Sequence, residues 1–151
     1  MPKATQLTSG IVLAQIQDPG NTGTLIRSAI GLGYKSVVII EGCDPYSPKV
    51  VQATAGTLAH AKLFLWSWQE LVQHKNNLKL CALVLNDEQQ DQSYPADTTL
   101  FVVGNEAHGL PQAWVDACDM TMTIPLAPQA ESLNAAVAGS IALYRGLIDK
   151  A

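Results

Sequence analysis

A chain of 151 residues is one domain by length, and an apolar share of 48% is enough for a core that needs no disulfide or metal staple. Charged residues are only 15%, too few to cover a fully solvated monomer, so some apolar surface is expected to lie against a second subunit. No apolar run approaches the roughly 20 residues of a membrane span, and the start MPKATQLTSG is not a signal peptide.

Short β-branched runs alternate with helical stretches, which predicts an α/β fold with a mainly parallel sheet flanked by helices. Gly10 to Gln17 (GIVLAQIQ) reads as the first strand and Asp18-Pro19-Gly20 as a turn. Asn21 caps the next helix, whose apolar face is Leu25, Ile26, Ala29, Ile30 and Leu32 and whose end is Gly33. Ser36 to Ile40 (SVVII) is an unbroken apolar strand, as expected when both faces are buried. Ser47-Pro48 opens a second helix that stops near Gly56. Lys62 to Trp66 is a strand, and the capping box Ser67-Trp68-Gln69-Glu70 starts a helix that runs to about Lys75. Leu78 to Leu85 and Thr99 to Val103 are strands separated by a polar, acidic segment, Asn86 to Asp97, read as a loop or short edge segment. Pro111 to Cys118 is a short helix and Met120 to Ile124 the last strand. Ser132 caps the last helix, which reaches about Asp149. Its small residues Ala135, Ala136, Ala138, Gly139 and Ala142 allow close approach of another backbone, either across an interface or inside the domain.

Cys43, Cys81 and Cys118 are far apart, odd in number and form no CxxC pair. They read as buried small hydrophobes in a reducing, cytoplasmic setting. His60, His74 and His108 have no metal-ligand spacing with acids or thiols, so no metal is expected. Gly31-Leu32-Gly33 sits at a helix end and lacks the third glycine of a dinucleotide fingerprint. Phosphate-loop and nucleophile-elbow motifs are absent. The net charge is −4 and the nine Lys and Arg form no contiguous block. Any RNA affinity must come from a local patch, a dimer or another domain.

Three segments carry chemistry. In Asn21-x-Gly23-x-x-x-Arg27-x-Ala29 a helix start offers free backbone N–H groups, and a guanidinium stands among apolar neighbours. Arg27 there snorkels, pairs with an acid, or serves a ligand. In Phe101 to Leu110 (FVVGNEAHGL) an apolar strand enters a loop with two glycines, at the strand end where open α/β sheets bind ligands. Glu106 can accept hydrogen bonds or orient Arg27, and His108 reads as a solvent-exposed loop residue. In Ile124 to Asn134 (IPLAPQAESLN), Pro125 and Pro128 remove donors and leave carbonyls that suit an adenine edge, with Leu126 and Leu133 to pack on the ring. Ser132 and Asn134 serve either as caps alone or as site groups, with Asn134 placed in the first helical turn.

In this order and spacing, Asn21 to Gly33, Gly104 to Leu110 and Ile124 to Asn134 resemble the three motifs of the SpoU family, which methylates RNA at the ribose 2′-oxygen with S-adenosylmethionine (SAM). Ser47-Pro48-Lys49-Val50-Val51 and Ala55-Gly56 also resemble the family, and the likeness runs from Gly10 to Ile148. The resemblance implies a SPOUT-type fold with a C-terminal deep trefoil knot, a homodimer, SAM bound in the knot, and tRNA or rRNA as substrate. It implies that Arg27 is catalytic, with Asn21, Glu106, Ser132 and Asn134 as motif partners. By position, the cofactor contacts are Val103, Gly104, Asn105, Glu106, Gly109, Ile124, Leu126, Ser132 and Leu133. Pro128 stands where the family often has glycine, and Ala136 where serine is frequent. Many members carry an N-terminal RNA-binding domain before this point. The acidic balance favours a chain separated from such a domain over a naturally minimal enzyme.

The ribose hydroxyl must lose its proton as it attacks the methyl group. Arg27 is expected to stabilise the developing alkoxide or an RNA phosphate, and to deprotonate the hydroxyl with help from Glu106. The alternative is a catalytically silent domain that binds SAM or RNA or only dimerises. Methylation of a base nitrogen, as in related knotted enzymes, is a third possibility.

Overall fold

The computed structural model describes residues 6–85 and 92–149. Six runs form strands: β1 (Gly10–Ala14), β2 (Ser36–Ile40), β3 (Lys62–Leu65), β4 (Lys79–Leu83), β5 (Thr99–Val103) and β6 (Met120–Met122). They make one sheet in the order β3-β2-β1-β5-β4-β6, with every neighbouring pair parallel. The period of two along each strand sorts the core into two layers. Ile11, Leu13, Val37, Ile39, Phe101 and Val103 face one side, while Val12, Ala14, Val38, Ile40, Leu100 and Val102 face the other.

Helices α1 (Pro19–Gly31), α2 (Pro48–Ala53) and α5 (Ala135–Ile148) cover the first side. Helices α3 (Trp68–His74) and α4 (Gln112–Ala117) cover the second, where the Trp68 and Trp114 rings stack at 4.9 Å. Both faces are therefore buried, which is why the strands lack polar alternation. Burial pushes the Cys81 and Cys118 thiols up to about 12.

Several boundaries differ from the sequence reading for local reasons. The first strand stops at Ala14 because Gln15 adopts a left-handed φ of 61°. Asp18, not Asn21, caps α1: its carboxylate accepts the Asn21 N–H at 2.8 Å, and Pro19 occupies the first turn, where no donor is needed. Asn134, not Ser132, caps α5, its side-chain oxygen accepting the N–H groups of Ala136 at 2.8 Å and Val137 at 3.2 Å. Ser47 precedes α2 without a side-chain cap bond, and a separate 3-10 turn, Thr57–His60, follows that helix. The capping box of α3 is present as read. In the acidic segment, residues 86–91 lie outside the described residues. Farther on, Tyr94 is buried and docks on both late elements, its N–H on the Asp149 carboxylate and its hydroxyl on the Thr121 carbonyl, each at 3.0 Å.

The small residues of α5 face inward. Ala135, Ala136, Gly139, Ala142 and Gly146 are buried, so the helix backbone lies close to α1 and the sheet. Two polar contacts fix it there: Ser140 Oγ to Ser28 Oγ at 2.7 Å, and the buried Tyr34 hydroxyl donating to the Leu143 carbonyl at 2.7 Å. Burial raises the Tyr34 phenol to about 12, against 10.0 when free. The folded state thus holds this proton more tightly than the unfolded chain. Stability from this group is complete below pH 10 and declines as pH rises towards 12. We expect Tyr34→Phe to lose about 1 kcal/mol at neutral pH. It should also flatten the alkaline decline over that window, as read by urea denaturation at a series of pH values.

Candidate active site

The sheet's carboxyl edge is where three chain segments converge. After β5 the chain turns through Gly104 to Leu110, closed by a hydrogen bond from the Gly109 N–H to the Asn105 carbonyl at 2.9 Å. Gly109 takes a φ of 66°, which a side chain would strain. A Cβ on Gly104 would lie 2.6 Å from the Leu110 nitrogen, so the loop can fold back only on a glycine. The Asn105 side chain builds the turn from within. Its oxygen accepts the N–H groups of Ala107 at 2.8 Å and His108 at 3.0 Å, and its amide donates to the Gln15 carbonyl at 2.8 Å.

Between this loop, the end of β6 and the start of α5 lies a cavity of about 540 Å³. Val103, Gly104, Asn105, Glu106, Gly109, Ile124, Leu126, Ser132 and Leu133 all line it. So do residues the sequence reading left out: Leu83 at the end of β4 with Val84 and Leu85 just after it, Gln112 and Val115 of α4, Glu131, and Ala138 of α5. The first three stand at a strand's carboxyl end, the position that marks ligand sites in such sheets, so the same rule applied to β4 would have found them. Gln112, Glu131 and Ala138 carry no local signal.

A second hollow adjoins the first and is lined by Asp18, Asn21, Glu106, Ser132 and Asn134 among others. One amide relay crosses it. Glu106 Oε1 accepts from the Asp18 N–H at 3.3 Å and from Asn21 Nδ2 at 3.5 Å, while Asn134 Nδ2 donates to Asn21 Oδ1 at 3.1 Å. Four of the five residues expected to be catalytic therefore meet in one place.

Arg27 is the exception. It is exposed on α1, makes no hydrogen bond or ion pair among the described residues, and lines neither hollow. The expectation that Glu106 orients it fails within this protomer, because Glu106 is turned to Asp18 and Asn21. Arg27 follows Gly23 by one turn. Gly23 is where α1 meets α2, a Cβ there running into Ala53.

The three convergent segments decide the comparison with known proteins, because a model of the SpoU rRNA Methylase family matches residues 9–144 and so spans all of them. The chain belongs to the SpoU rRNA methylase family. It is 32% identical over 150 residues to a 23S rRNA (guanosine-2′-O)-methyltransferase of Bacillus subtilis, covering 95% of this chain and 60% of that one. Its fold matches an AdoMet-bound rRNA methyltransferase of Sinorhizobium meliloti with a TM-score of 0.86 at 26% identity, over 94% of this chain and 56% of that one. It also matches a protein studied for 2′-OH methylation of C/U34 on tRNA, with a TM-score of 0.80 at 26% identity, over 93% of this chain and 96% of that one. The SpoU chain spans between 51% and 60% of the length of the curated relatives it matches first.

Among the described residues no cluster of His, Cys, Asp or Glu has the makings of a metal site, and no helix is long and apolar enough to cross a membrane. Asn134 is the residue that joins fold to site, since one side chain caps α5 and holds Asn21. Asn134→Ala should cost about 1 kcal/mol in stability through the lost cap. Asn134→Asp keeps the capping oxygen and loses the donor to Asn21, so its unfolding free energy, read by urea denaturation, should stay within about 0.5 kcal/mol of wild type.

Proposed function

We propose that this domain is a SAM-dependent RNA ribose 2′-O-methyltransferase acting on tRNA or rRNA. The observation that carries this is the cavity itself, in which all nine residues expected at the cofactor share one wall system beside the Asn21, Glu106 and Asn134 relay. Its size falls within the roughly 300–1,000 Å³ usual for small-ligand sites. The lining fits a nucleoside with a cationic sulfur: Leu83, Val103, Leu110, Ile124, Leu126 and Leu133 are apolar, Glu106 and Glu131 are acidic, and no described lining residue is Lys or Arg. The relatives support the same reading, one being named for 2′-O-methylation of 23S rRNA and one holding AdoMet.

SAM when bound supplies an electrophilic methyl group. The chain's own residues do the rest. The loop from Gly104 to Gly109 and the wall of Ile124, Leu126, Ser132 and Leu133 hold the cofactor. Asn21, Glu106, Ser132 and Asn134 line the adjoining hollow and position the ribose, which is a large part of the barrier in such a transfer. Glu106, the carboxylate in that hollow, takes the hydroxyl proton. Arg27, which lines neither hollow of its own protomer, is left to stabilise the alkoxide in the partner subunit's site or an RNA phosphate.

On this reading the working unit is a homodimer in the cytoplasm. Val137, Ile141, Tyr144 and Ile148 form an exposed apolar stripe along α5, at 42–61% exposure, opposite its buried small residues. That stripe adjoins Asn21 and Thr24 in a shallow hollow, so dimerisation would cover ground next to the active site. The C-terminal trefoil knot belongs to the same reading.

The test is single-turnover transfer from tritiated SAM to unmodified tRNA and rRNA transcripts, with calorimetric SAM binding measured in parallel. Arg27→Ala should lower the transfer rate about 100-fold or more while SAM affinity stays within about threefold. Methyl label should map to a ribose oxygen. Ile141→Asp should convert the dimer to a monomer by light scattering. Full transfer by Arg27→Ala, or label on a base nitrogen, would refute the assignment.

A further inference from the structure

Two neighbouring strands end in the same unusual way. Gln15 after β1 and Glu41 after β2 both adopt left-handed backbone, φ 61° and 50°, although neither is glycine. Such conformations persist where surrounding contacts over-determine them. Here the contacts are explicit. The Gln15 N–H donates to the Ile40 carbonyl at 2.8 Å, Gln15 Nε2 donates to Glu41 Oε2 at 3.1 Å, and Gln17 Nε2 donates to the Glu41 carbonyl at 2.7 Å.

The left-handed turn takes the Gln15 carbonyl out of the sheet ladder, and Asn105 Nδ2 donates to it at 2.8 Å. The other end of the same amide holds the Ala107 and His108 N–H groups. Three residues beyond Gln15, Asp18 caps α1 and its N–H donates to Glu106. The end of β1 is thus bound to the loop through both Asn105 and Glu106.

We propose that Asn105 and Gln15 form a latch that sets the cofactor loop against the Asn21 end of α1, and that they are positioning residues. The proposal rests on the methyltransferase reading. The Asn105 side chain is spent on the latch and contributes to the cofactor site through its backbone. What Gln15 gives the loop is its carbonyl, aimed by its backbone shape; its side chain bonds Glu41 instead, and it does not line the cavity. Any effect of Gln15 on the cofactor must therefore travel through the latch.

Calorimetric titration of SAM into the full chain tests this, with wild type, Asn105→Asp, Gln15→Gly and Gln15→Val compared. Amide hydrogen exchange of residues 105–109 is followed in each ligand-free protein. Asn105→Asp keeps the oxygen for Ala107 and His108 and removes the donor to Gln15. Gln15→Gly keeps the left-handed turn, whereas Gln15→Val opposes it through its β-branch. We expect SAM affinity to fall about tenfold in Asn105→Asp and Gln15→Val, with faster exchange at Gly109, and to stay within about twofold in Gln15→Gly. A merely structural role would not give a glycine–valine split in affinity at a residue outside the cavity. Wild-type affinity and exchange in both Asn105→Asp and Gln15→Val would overturn the latch. If wild type itself binds no SAM, the functional reading fails and the exchange pattern alone decides the latch, in the same two directions.

Discussion

A parallel sheet with both faces buried leaves polar backbone only two places to emerge, its amino and carboxyl edges. In this chain the constraint is severe, because β1, β2 and β5 are buried along their whole length and helices cover both sides. Irregular loops must then crowd one edge or the other, and the segments Gly104 to Leu110 and Ile124 to Asn134 do so at the carboxyl edge, beside the start of α1. The site follows from the sheet's direction rather than from any one residue. The two glycines after β5 are what allow the loop to fold over that edge within seven residues, 104 to 110.

Crowded loops need hydrogen bonds to replace the ladder they leave, and side-chain amides supply them here. Asn105, Asn21 and Asn134 each make a bond as donor, and Asn105 and Asn134 each accept two backbone N–H groups as well. An amide can do this because it presents donor and acceptor at opposite ends. A carboxylate offers acceptors only, which is why Glu106 sits where two donors converge. The arrangement ties α1, the β5 loop and α5 into one unit without an ion pair among those groups. Its polarity is local and fixed, which suits the positioning of a neutral hydroxyl.

Much of this was legible in the sequence. The apolar runs and their length between turn residues marked all six strands, and Ser67 with Glu70 marked the start of α3. Boundaries failed where a side chain competes with the backbone. Gln15 reads as a strand residue, and only its tertiary contacts with Glu41 and Asn105 hold it left-handed. Asp18 and Asn134 took the caps assigned to Asn21 and Ser132, since each segment holds two polar residues, three and two positions apart, that are equally good caps by type. The nine cofactor-wall residues could be named from the motif likeness and Leu83 to Leu85 from the strand-end rule, but the α4 side of the wall comes from sheet order, which no local pattern encodes.

Charge sets the remaining constraint. With 13 acidic residues against nine basic ones, the chain repels a polyanion overall, and Asp18, Glu41, Glu106 and Glu131 lie along the carboxyl edge beside the two hollows. Acid groups beside the cavity favour a cationic ligand there and disfavour phosphate. A guanidinium at that edge would be expected to pair with one of these acids, yet Arg27 stands apart from them on α1. An exposed arginine with no carboxylate partner among the described residues has its donors free for an anion from outside. In a chain this acidic it is worth more unpaired than it would be in a surface salt bridge, which contributes little to stability.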